Sequence, residues 1–115
     1  MLRWPSRVTA VALLSLTAVA CSGKPDPITI AENTVTVGNQ TSREWRNVVI
    51  TVNDHFRGGA PRLAAGGRLT APLTQFQTAF GQRYDIGRQS VFKVEVTATD
   101  ASGAAVKLQW GLSRR

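Results

Sequence analysis

Apolar and polar residues alternate along much of the chain with a period of two, the spacing that turns one side of a β-strand toward a core and the other toward water. Val35 and Val37 alternate with Thr34 and Thr36 as far as Gly38-Asn39, and Asn39-Gln40-Thr41-Ser42 supplies turn chemistry. Val48, Ile50 and Val52 then share one parity, with Trp45, Asn47, Val49 and Thr51 on the other, so the two segments predict a hairpin with Trp45 on its outward face. Ile28 and Ile30 either extend the first strand or form a separate short one. Between residues 55 and 67 the pairs Gly58-Gly59 and Gly66-Gly67, with Pro61, leave room for at most a short strand at Arg62-Leu63. Residues 68–73 predict another short strand ending near Pro72.

Residues 73–88 carry Leu73, Phe76, Phe80 and Tyr84 at spacings a helix would place on one face, but Gly81 and the β-branched Thr74 and Thr78 favour an irregular crossover with a turn at Gly81. The closing hairpin is the plainest element. Phe92, Val94, Val96 and Ala98 alternate with Lys93, Glu95 and Thr97, Asp100-Ala101-Ser102-Gly103 turns the chain, and Val106, Leu108 and Trp110 alternate with Lys107 and Gln109. Six or seven short strands with frequent turns predict an all-β fold, a small antiparallel Ig-like β-sandwich over residues 34–111, followed by a tail at 112–115. Its expected core is Val35, Val37, Val48, Ile50, Val52, Leu63, Leu69, Leu73, Phe76, Phe92, Val94, Val96, Val106, Leu108 and Trp110.

The first twenty residues follow a different pattern. Two arginines precede an apolar stretch from Val8 to Val19 that is too short to span a bilayer, and Ala18-Val19-Ala20-Cys21 follows, so residues 1–20 read as a secretion signal. The small residues before Cys21 resemble the lipobox of bacterial lipoproteins, with Ala18 where leucine is usual; they also fit an ordinary export cleavage after Ala20. Both readings start the mature chain at Cys21, and acylation accounts for a lone cysteine in an exported chain that offers it no disulfide partner. Residues 21–33 are then expected to be the lipidated Cys21 and a tether, with Ser22-Gly23-Lys24-Pro25-Asp26-Pro27 extended. Ser22 in place of an aspartate after the cysteine leans toward the outer membrane, with the domain facing the periplasm or the exterior.

The segments Thr34-Val-Thr-Val-Gly-Asn-Gln-Thr, Trp45-Arg-Asn-Val-Val-Ile-Thr-Val-Asn, Leu63-Ala-Ala-Gly-Gly and Leu73-Thr-Gln-Phe76 resemble small bacterial Ig-like domains of exported proteins. The resemblance rests on turn and core residues, covers most of residues 34–110, and implies an extracytoplasmic binding or scaffold module.

Charge narrows the partner. The chain has 14 Lys+Arg against 7 Asp+Glu, and loss of residues 1–20 removes Arg3 and Arg7 and leaves the mature chain at net +5. Arg57, Arg62 and Arg68 fall on consecutive short turns, and Arg83 and Arg88 flank Tyr84, so loops at one end of a sandwich are expected to gather them into a patch for an acidic protein face, lipid headgroups or an anionic envelope polymer. Trp45 is the expected exposed aromatic contact, and Phe76 with Phe80 the expected closure of an open end. Export argues against nucleic acid. His55 is the only imidazole; a triad would have to join it to Asp54 and to Ser90 or Ser102, and no motif spacing supports one. One histidine and scattered acids offer no zinc or calcium site, and neither glycine pair opens a phosphate loop, so no enzyme activity, metal or cofactor is expected. The expected function is a lipid-anchored envelope module that binds or scaffolds another envelope protein.

Overall fold

The computed structural model describes residues 25–111. They form seven strands: β1 (Ile28–Ala31), β2 (Thr34–Gly38), β3 (Trp45–Val52), β4 (Phe56–Leu63), β5 (Arg68–Pro72), β6 (Lys93–Asp100) and β7 (Ala105–Gly111), with a 3₁₀ turn at Leu73–Gln75. All pairing is antiparallel, in a three-stranded sheet ordered β1-β2-β5 and a four-stranded sheet ordered β4-β3-β6-β7. The two sheets enclose a single apolar core, as a small β-sandwich requires. Compared with a constant-type immunoglobulin sheet pair, the fourth strand has moved to the sheet of the third, sixth and seventh.

Alternation explains most of the core. Val35 and Val37 of β2, Ile50 and Val52 of β3, and Val94 and Val96 of β6 point inward and are fully buried, while Leu69, Val106, Leu108 and Trp110 are partly buried against them. Ile28, Phe56 and Tyr84 join the core although the sequence pattern did not mark them. Residues 73–88 are the expected irregular crossover, which runs on to residue 92, with a turn closed by the Gly81 N–H on the Thr78 carbonyl at 3.0 Å. Gly81 has φ +85°, a conformation that suits glycine.

Five expectations change. The folded body begins at Ile28, not Thr34: β1 pairs along β2, Ile28 is fully buried, and a two-residue turn at Glu32-Asn33, both with positive φ, joins the strands. Trp45 is 2% exposed and belongs to the core, because Arg46 faces Thr99 while Val49 faces Thr97, so three steps along β3 match two along β6. The extra residue is absorbed at Asn47, with φ +53°, and this β-bulge flips the inward parity upstream of it. The Trp45 Nε1 is buried without a hydrogen-bond partner.

β4 spans eight residues despite its glycines and proline, since it is an edge strand where a missing N–H on Pro61 is tolerated. Its glycines serve close approaches: a Cβ on Gly58 would press on the Phe76 ring at 3.1 Å, and one on Gly59 would collide with the Val48 carbonyl. Phe92 is 41% exposed because the Asn53 carboxamide accepts the Phe92 and Lys93 N–H groups, so β6 starts at Lys93 and Val91 covers the core instead. Phe80 is 92% exposed and closes nothing; the turn at Thr78 carries it outward while Phe76 alone is buried.

The registers fix which loops share an end. Pro25–Pro27, the β2–β3 loop, the β4–β5 turn and the β6–β7 turn lie at the end where the chain enters; the Glu32-Asn33 turn, the β3–β4 turn and residues 73–92 lie at the other. An eight-residue strand at ~3.3 Å per residue separates them by about 26 Å.

Candidate binding surfaces

The outer side of the four-stranded sheet is built from strand positions facing away from the core. Bridges of Gln77 to Arg57 and to Arg83 extend this sheet beyond β4, so one row crosses from Arg83 through Gln77, Arg57 and Thr51 to Glu95 and Gln109. A second row runs from Gly59 through Val49 and Thr97 to Lys107, and a third from Arg62 through Arg46 to Thr99. Cross-strand partners point to the same side, so Arg46, Arg57, Arg62, Arg83 and Lys107 share one face. Two acids temper it: Glu44 pairs with Arg46 at 3.3 Å, and Glu95 accepts from Gln109 at 2.8 Å. At its centre Val49 is 37% exposed, because its neighbour Gly59 has no side chain to cover it.

The expected gathering of arginines by loops therefore changes. Arg57 and Arg62 lie on β4 itself, and Arg83 joins them through the Gln77 bridge. Arg68 begins β5 in the other sheet, where it borders a groove of about 320 Å³ with Pro25 and Asp26 at the entry end. Arg88 stands on an exposed turn with Asp85 at 3.6 Å. Arg46 and Lys107 belong to the basic face and escaped the sequence reading because strand pairing, not chain proximity, brings them there. Cys21 lies outside the described residues.

The end remote from chain entry carries the second surface. Two adjoining grooves of about 470 Å³ each run over the β3–β4 turn, sharing Asp54, His55, Phe56 and Gln89; Phe80 walls one and Phe92 the other. Ile86, 44% exposed, adds to the apolar character of this end. Beneath the grooves the core is already shut. Buried Asn53 donates to the Ser90 carbonyl at 2.9 Å and accepts from the Phe92 and Lys93 N–H groups, while Tyr84 packs edge-on against Phe56 at 5.2 Å, and that burial raises the Tyr84 pKa.

The entry end is closed in the same manner. Buried Asn39 donates to the Arg43 and Leu63 carbonyls at 2.8 and 3.1 Å and accepts from the Thr41 N–H and hydroxyl. Asp100 accepts the Ser102 hydroxyl at 2.6 Å and the Ser102 and Ala104 N–H groups, which holds its carboxyl below the ordinary aspartate range, led by the Ser102 hydroxyl. The charge of nearby Arg43, which donates to the Ser102 hydroxyl oxygen at 3.3 Å, adds to that effect.

The residues that sequence could nominate for catalysis are arranged as follows. Asp54, His55 and Ser90 line one groove, whereas Ser102 sits at the opposite end. The Asp54 carboxylate is held by Lys93 at 2.9 Å, and that hydrogen bond raises the Lys93 pKa, so Asp54 orients the lysine and not the imidazole. Among the described residues no three His, Cys, Asp or Glu side chains group as metal ligands. No family model, curated protein or solved structure matches the chain.

Proposed function

We propose that this chain is a lipid-anchored, non-enzymatic binding or scaffold module of the cell envelope, held through Cys21, outer membrane favoured over inner, and docking another envelope protein. The observation that supports it is the outer sheet face, where half-exposed Val49 sits among Arg46, Arg57 and Arg62. Arginine is enriched at protein interfaces, where its stem packs on an apolar neighbour such as Val49 while the guanidinium finds acids on a partner. Anchoring by acyl chains, each contributing ~0.8 kcal/mol per buried CH₂, would keep the module on its membrane.

A second reading is favoured by the same five cations on one face: binding of an anionic envelope polymer or lipid headgroups. Salt discriminates the two. Polymer binding should fall steeply between low and high salt and vanish in an Arg46→Ala/Arg57→Ala/Arg62→Ala triple variant. Docking on an apolar centre should weaken less with salt and be lost in Val49→Asp. Mass analysis of the mature N-terminus tests the anchor; a Cys21 without acyl chains, in a host that makes lipoproteins, refutes it.

A further inference from the structure

We infer that the end of the sandwich remote from chain entry is a protein-docking tip: Phe80 inserts into an apolar pocket of an envelope protein whose rim is acidic, with Arg57 and Arg83 meeting that rim. The inference goes beyond the proposed function, adding a surface apart from the Val49 face, and rests on that function's reading of Cys21.

Phe80 is displayed by construction. The Thr78 hydroxyl oxygen accepts the Phe80 and Gln82 N–H groups at 3.3 and 3.1 Å, the Thr78 N–H donates to the Gln82 carbonyl at 2.8 Å, and Gly81 closes the turn. The turn is itself fastened to the body: Gln77 exchanges backbone hydrogen bonds with Arg57 at 2.8 and 3.2 Å, and the Tyr84 N–H donates to the Phe76 carbonyl at 3.0 Å. The backbone that carries this ring, 92% exposed, is already ordered, so covering it costs side-chain freedom alone. Nor does the core need it, since Asn53, Phe56 and Tyr84 lie beneath, buried.

Two observations choose the occupant. The first is tether length. Gln40 donates to the Pro25 carbonyl at 2.7 Å, so only three residues, four Cα-to-Cα steps, separate this fixed point from Cys21, a reach of about 14 Å at full extension. Tip-first insertion into the anchoring bilayer would hold Pro25 about 26 Å above it, beyond that reach, so Phe80 does not enter its own membrane tip-first. The second is charge. Arg57 and Arg83 flank Gln77 at the base of the turn and have no ion-pair partner among the described residues, so a second copy of this tip would be repelled and an acidic rim attracted.

The test places a photoreactive benzoylphenylalanine at position 80 of the full-length chain in its native envelope, with position 102 at the opposite end as control. Expected is one discrete protein adduct from position 80 that is missing from position 102. With that protein purified, Phe80→Ala should weaken binding at least tenfold and Arg57→Ala/Arg83→Ala severalfold at low salt, without change in melting temperature. Adducts to phospholipid or to this chain itself, no adduct, or unchanged affinity in Phe80→Ala overturn the inference. An unacylated mature chain would refute the anchor separately, because the adduct from position 80 is read independently of the N-terminal mass.

Discussion

Each end of the sandwich is shut by one buried asparagine, and the two differ in what lies outside it. At the entry end Asn39 fastens the β2–β3 loop to the end of β4, and the exterior is polar, with Thr41, Arg43, Asp100 and Ser102 bonded among themselves. At the remote end Asn53 fastens the β3–β4 turn to residues 90–93, and the exterior is apolar, with Phe80, Ile86 and Phe92 in water. A carboxamide with three or four hydrogen bonds is thus enough to close this fold. The apolar exterior of one end goes beyond what closure demands.

The sharpest test of that distinction pairs two phenylalanines four residues apart in sequence. Phe76→Ala should cost about 3–5 kcal/mol, as expected for emptying a fully buried aromatic site. Phe80→Ser should stay within about 0.5 kcal/mol of the parent in urea unfolding. A large loss in Phe80→Ser would mean that the tip is part of the closure after all.

Next in size are the asparagines. Asn39→Ala should cost about 2–3 kcal/mol through the buried groups it orphans, and Asn53→Ala about 1 kcal/mol more, because Asn53 has φ +52° and alanine is strained there. Asn53→Gly should recover that extra part, a difference of roughly 4–8 °C in Tm. Equal losses in Asn53→Ala and Asn53→Gly would show that hydrogen bonds alone set the cost.

The smallest effect is a pH dependence confined to the entry end. Because the Asp100 carboxyl is held low in the fold, its contribution is complete above the unfolded value of about 4 and is lost as pH falls through the lower folded value. Amide exchange at Ser102 and Ala104 should therefore quicken, relative to the rest of the sheet, only in acid below that value, and Asp100→Asn should remove the dependence. Tip amides such as Phe80 and Gln82 serve as the internal control.

The strands β2, β3 and β6, with the closing hairpin, were legible because period-two alternation and Gly/Asn/Asp turns are local signals. Three features were not, each for a reason that lies between strands. The outward expectation for Trp45 fails at a bulge that exists only in the β3–β6 register, although an asparagine beside a parity break is its one local hint. β4 looks like a string of turns until its edge position and the Phe76 ring over Gly58 explain its small residues. The basic face combines residues from β3, β4, β7 and a crossover, and sequence neighbours such as Arg57 and Arg68 end on different sheets. What Phe80 offered in sequence was its place next to Gly81, a turn signal that outweighs helical spacing.

The bridge between Gln77 and Arg57 has one more effect. A sheet edge with free backbone groups invites another chain to add a strand, and β4 would be such an edge. Gln77 occupies its backbone at Arg57, and Pro61 removes a donor four residues further on, so neither half of β4 is a good template. Wherever copies of this chain meet at high concentration, the capped edge disfavours strand exchange along β4.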